Sequence, residues 1–122
     1  MAGAWQVIDR DGEGYIVETL DGGLGVVYWF TFDEQGRPTW RSGTGPALFQ
    51  QVDAQLHEFR GPVFGEAYDP ADLVSESFGS VQVRGEGCEF AWTTHRFPGE
   101  LGETVTEIRK TVLLDGLPAC PD

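Results

Sequence analysis

Glu13–Arg41 reads EGYIVETLDGGLGVVYWFTFDEQGRPTWR, and this stretch decides the fold. It predicts three β-strands joined by two tight turns. Asp21-Gly22-Gly23 supplies the first turn, because glycine accepts the positive φ that short hairpin loops demand. Asp33-Glu34-Gln35-Gly36 supplies the second, with Pro38 at the following strand edge. Between the turns Val26, Tyr28, Phe30 and Phe32 share one face, while Val27, Trp29, Thr31 and Asp33 share the other. A period of two among so many β-branched and aromatic residues is the signature of a strand.

The same pattern runs outward from this meander. Trp5–Asp9 predicts a short first strand, ended by the turn Asp9-Arg10-Asp11-Gly12. Tyr15–Leu20, Gly25–Phe32 and Thr39–Gly43 follow, then a longer segment over Ala47–Phe59. Ser80–Arg84 and Cys88–His95 form a hairpin about Gly85-Glu86-Gly87, and Glu103–Leu114 is the last long strand. Residues 60–79 are the least regular. Within them Asp69-Pro70 is suited to cap and start one short helical turn. About eight strands in simple succession predict a single all-β domain over residues 1–122. Its architecture is an antiparallel up-and-down meander, a closed or nearly closed barrel, with a compact β-sandwich as the alternative. Closure removes the exposed edges that invite aggregation.

With 122 residues, of which 40% are hydrophobic and 12% aromatic, the chain can bury a real core. Its 17 glycines and seven prolines suit a protein with many turns. The formal net charge of −12 opposes binding to nucleic acid phosphates and to anionic membrane surfaces. No apolar run approaches the ~20 residues that span a bilayer. Met1-Ala2-Gly3-Ala4 has no basic region or apolar core of signal-peptide type, although a leader could have been removed before this numbering begins.

Two cysteines, Cys88 and Cys120, stand outside any C-x-x-C pair, so neither a metal site nor a cofactor is expected. They are read either as a disulfide or as two buried thiols. A disulfide would anchor the tail Leu117–Asp122, which would otherwise fray. It would close a loop of about 30 residues, adding roughly 3 kcal/mol in the chain-entropy account. It would also imply an oxidising compartment.

Gly3-Ala4-Trp5, Arg10-Asp11-Gly12-Glu13-Gly14-Tyr15, Val26–Asp33 and Gly36-Arg37-Pro38-Thr39-Trp40 together resemble a small β domain of exported proteobacterial proteins. That domain runs G-x-W, then R-x-G-x-G-(F/Y), then V-x-W-F-T-Y-D, then G-R-P-x-W, with late cysteines. The likeness spans the first 45 residues well and the last 40 loosely. Gln6-Val7-Ile8-Asp9 departs from the family's continuation, and Asp11 replaces its serine. The resemblance implies export to the periplasm or beyond and a β fold, and it carries over no catalytic residue.

Three functions remain open. A binding module for a small molecule or carbohydrate would use Trp29 and Trp40 as stacking platforms, with Tyr28, Arg41 and His57 as polar or mixed neighbours. A small hydrolase of glycosidase type would need two carboxylates across a sugar. Glu18 and Glu107 are the candidates, Glu18 being suited to acid chemistry if its strand face points inward beside Tyr28. The other orientation puts Tyr15, Val17 and Thr19 inside and Glu18 in water. An accessory or inhibitor domain would use the acidic surface to steer a basic protein partner. His95, at a strand end beside Arg96, is expected to face solvent.

Overall fold

The computed structural model describes residues 1–111. They form a closed antiparallel barrel of eight strands in sequence order. The strands are β1 (Gly3–Val7), β2 (Gly14–Leu20), β3 (Leu24–Phe32), β4 (Pro38–Leu48), β5 (Gln51–Arg60), β6 (Val74–Glu86), β7 (Phe90–Arg96) and β8 (Thr104–Lys110). β1 closes the seam against β8, pairing Trp5 with Lys110 and Val7 with Ile108. The sandwich alternative is thereby excluded. The two irregular regions also follow local chemistry. Phe49 ends β4 with a φ of 56°, which splits the long segment expected over Ala47–Phe59. A 3-10 turn at Pro70–Asp72 is capped by Asp69, whose side chain accepts from the Ala71 N–H at 3.0 Å.

Alternation sends Trp5, Val7, Tyr15, Val17, Val27, Trp29, Val52, Ala54, Leu56, Val81, Val83, Ala91 and Ile108 into the interior. The meander therefore takes the opposite sense to the one that would bury Glu18. Both rows of β3 are apolar, so β3 cannot choose its own face. The choice is made by β2 and β5, where Tyr15 and Val17 or Val52, Ala54 and Leu56 alternate with polar residues. The inward row of β3 and β4 also carries glycine at the tightest points. A Cβ at Gly25 would lie 2.5 Å from Val52 Cγ1, and one at Gly43 would lie 1.8 Å from the Gln55 carbonyl oxygen.

The two ends of the barrel differ. One end is sealed. Met1 packs on the core there and accepts a hydrogen bond from Trp5 Nε1 at 2.9 Å through its carbonyl. Nearby, the Gly85 N–H donates to the Gln50 carbonyl at 2.7 Å. The other end carries the connections 8–13, 33–37, 61–73 and 97–103 and stays open. Those four connections hold ten carboxylates against two arginines, a net −8 out of the chain's −12.

Candidate functional site

The open end forms a cup of about 720 Å³. Tyr15 on β2, Trp29 and Thr31 on β3, Arg41 on β4 and His95 on β7 are its buried lining, and Phe78 and Phe97 complete its wall. Each is there because its strand alternates inward at that height. Apart from Trp5 at the sealed end, the deeper interior is filled mainly with valine, leucine, isoleucine and alanine, and the other buried aromatic and charged residues collect where that packing stops.

The aromatic groups are in mutual contact. The rings of Trp29 and His95 lie 4.3 Å apart, those of His95 and Phe97 stack at 5.2 Å, and Tyr15 stacks on Trp29 at 6.2 Å. Tyr15 Oη and His95 Nε2 share a buried hydrogen bond of 2.7 Å. Burial, with a smaller contribution from the Arg41 charge, pushes His95 down to about 4. The imidazole is therefore neutral near pH 7. Burial raises Tyr15 well above the usual phenol range, so it is neutral too.

Arg41 is the unusual member. It is 8% exposed, and its guanidinium carbon lies 3.7 Å from the Phe78 ring centre and 4.9 Å from that of Trp29. Such a sandwich favours a cation. Burial nevertheless lowers its pKa, against the opposing influence of Glu58, then Glu76 and Asp33. None of these carboxylates comes within ion-pair distance of it. Glu58, its neighbour on β5, instead accepts from Thr39 Oγ1. The charge is thus balanced at a distance while the Nε–H donor goes unused. Three buried polar atoms have no partner among the described residues: Arg41 Nε, Trp29 Nε1 and His95 Nδ1. All three belong to residues lining the cup.

The rim is acidic. Glu13 accepts from Thr31 Oγ1 at 3.2 Å and pairs with Arg10 at 3.5 Å. Asp33 pairs with Arg37 at 2.9 Å and is held below the usual carboxylate range, chiefly by the Arg37 backbone N–H. Glu76 pairs with Arg60 at 3.1 Å. Glu34 and Glu100 also line the mouth and carry no ion pair among the described residues.

The residues singled out from the sequence divide between two faces. Trp29 and Arg41 belong to the cup. Tyr28, Trp40 and His57 lie on the outer wall, so Trp29 and Trp40 do not form a common platform. Trp40 is 48% exposed and tilts against Tyr28 at 6.4 Å. A shallow outer groove of about 340 Å³ includes Tyr28, Ser42, His57 and Phe59. Glu18 is exposed on the outside, opposite Val26, and does not face a cavity with Tyr28. Glu107 sits on the outer face of β8. Gln6 aligns with both Gly14 and Arg109, which puts the two glutamates two strands apart and offset along the barrel. At strand spacings that separation is on the order of 20 Å, too far to flank one glycosidic bond. His95 is 3% exposed, so its expected solvent position is corrected: Arg96 takes the outer face and His95 the inner. Cys120 lies outside the described residues, as does the end of the expected last strand.

Tyr15, His95, Phe78 and Phe97 were not identified from the sequence. The signal that could have found Tyr15 and His95 was parity. Tyr15 shares its strand face with Val17, and His95 shares one with Ala91 and Thr93. Among the described residues no group of three His, Cys, Asp or Glu side chains is placed to hold a metal ion. No protein-family model, no curated protein and no solved structure matches this chain.

Proposed function

We propose that this domain binds a small molecule in the open-ended cup, its polar part reaching Arg41, Trp29 and His95. The observation that carries this reading is the convergence of three unpartnered buried polar atoms on one cavity. Unsatisfied groups of this kind cost about 1–3 kcal/mol each, so folded proteins keep few of them. A mixed aromatic wall with a few polar groups is the usual composition of a ligand pocket, and barrel mouths are a usual place for one. Pairing of Cys88 with Cys120 would place the domain in an oxidising, extracytoplasmic setting.

The test is a small-molecule screen read by tryptophan fluorescence. A ligand in the cup perturbs Trp29, so its signal survives Trp40→Phe and disappears in Trp29→Phe. A screen in which every response depends on Trp40 instead of Trp29 removes the cup from consideration.

A second reading rests on the outer groove. Exposed Trp40 against Tyr28, with Ser42, His57 and Gln55 beside it, offers a stacking surface and hydroxyl partners for a sugar. Oligosaccharide binding that is lost in Trp40→Ala and kept in Trp29→Phe supports it, and retention in Trp40→Ala rejects it.

A further inference from the structure

The cup is polarised along its depth. Its floor carries two buried hydrogen-bond donors, the Nε–H of Arg41 and the indole N–H of Trp29, neither satisfied by the protein. Indole and guanidinium nitrogens donate and never accept, so the floor requires an acceptor. The mouth presents the reverse. Its connections carry a net −8, and Glu34 and Glu100 at the lip have no basic partner among the described residues. Between them stand flat faces from Trp29, Phe97 and Phe78. A simple anion is poorly served by this arrangement, because it must cross the acidic mouth to reach Arg41. A simple cation is drawn to the mouth, but leaves the donors below unused.

We propose that the ligand is a flat zwitterion, with a carboxylate or similar acceptor head seated on Arg41 and Trp29 and an amine held by the carboxylates of the rim. The proposal rests on the reading of the cup as a ligand site and adds the ligand's polarity and orientation. The head gains charge-assisted hydrogen bonds in a water-poor site. Glu58 and Glu76 remain far enough from the guanidinium to leave its donor edge free. The amine complements the unpaired lip and gains less, since that end is open to solvent and salt.

The test is calorimetric titration of the full chain near pH 7 with four probes that share one ring system. These are 6-(aminomethyl)-2-naphthoate, 2-naphthoate, 2-naphthylmethylamine and 2-naphthylmethanol. The zwitterion is expected to bind at least about tenfold more tightly than either singly charged probe, the scale of one charge-assisted contact. In Arg41→Met the zwitterion falls to the level of the amine, while the amine itself changes little. In the double variant Glu34→Gln/Glu100→Gln, whose exposed side chains leave the fold undisturbed, the zwitterion falls toward the naphthoate. Added salt weakens the amine's contribution more than the head's. The proposal is overturned if naphthoate alone binds as well as the zwitterion, or if Arg41→Met, melting as a folded protein, leaves the ranking intact. Silence from all four probes also overturns it, whereas the ligand-site reading falls only if the fluorescence screen shows no response that depends on Trp29.

Discussion

Tyr15 and His95 are 80 residues apart in the chain, yet Tyr15 Oη lies 2.7 Å from His95 Nε2 inside the barrel. The bond joins β2 to β7 across the interior at the level where apolar packing gives way to the cup. It fixes the imidazole against Trp29 and turns Nδ1 into the remaining polar atom of that ring. Tyr15 and His95 therefore belong both to the fold and to the floor of the site.

The first prediction follows from the charge state of His95. Its pKa falls from 6.5 in the unfolded chain to about 4 in the barrel, through burial and then the Arg41 charge. Between these values the unfolded chain binds a proton that the native barrel does not. Stability is therefore lost as the pH falls from about 6.5 to about 4, and the loss levels off below that. The full span corresponds to about 3 kcal/mol. Urea unfolding of wild type and His95→Gln across this range isolates the effect, since glutamine can keep a bond to Tyr15 but does not titrate. Parallel pH profiles for the two proteins would show that His95 is not the group responsible.

The second concerns the glycine that lets β4 lie close to β5. A methyl group at Gly43 meets the Gln55 carbonyl oxygen at 1.8 Å, and that atom is backbone and cannot swing away. Gly43→Ala is expected to cost at least about 2 kcal/mol, in the range of strained or overpacked substitutions. Gly36→Ala, where a Cβ meets nothing within 4 Å but φ is 79°, serves as the comparison for conformational strain alone. Equal melting temperatures for wild type and Gly43→Ala would mean that β4 can shift without cost.

These positions also explain what the sequence could and could not reveal. The strand order was legible because β3 and its two turns carry unambiguous period-two and turn chemistry, and each later segment repeats it. The sense of the sheet was not legible from β3, whose Tyr28 and Trp29 rows are equally apolar. Glycine would have resolved it. Gly25, Gly43 and Gly45 share the parity of Trp29 and Arg41, and small residues are required where barrel walls approach each other. Arg41 and Trp29 were recognised as ligand candidates but grouped with Trp40, which lies on the opposite face. His95 was missed because its charge class suggests solvent, while its strand parity with Ala91 and Thr93 places it inside.

The third prediction is that Cys88 is bonded to Cys120. The expected loop of about 30 residues gives roughly 3 kcal/mol of stabilisation in the chain-entropy account. Mass measurement after alkylation without reductant should find no modified cysteine, and reduction should lower the melting temperature. Two alkylated thiols in the unreduced protein would end both this pairing and the extracytoplasmic setting inferred from it.

The last prediction links Arg41 to the titration of His95. Desolvation is the larger cause of the lowered His95 pKa, and the Arg41 charge is the second. Removing that charge leaves the imidazole just as buried but relieves the repulsion, so the His95 pKa in Arg41→Met rises from about 4 and stays below 6.5. The sign is fixed by like charge: a cation beside the imidazole disfavours the imidazolium. The pH window over which stability declines then narrows from its lower end, and the His95 part of the acid loss shrinks. Nuclear magnetic resonance of the His95 ring protons follows the titration directly. Bound ligand should act in the same direction as the substitution, because an anionic head on Arg41 neutralises the same charge and raises the His95 pKa in the wild type but not in Arg41→Met. An His95 titration identical in both proteins would mean that the guanidinium is electrically isolated from the ring it faces across the cup.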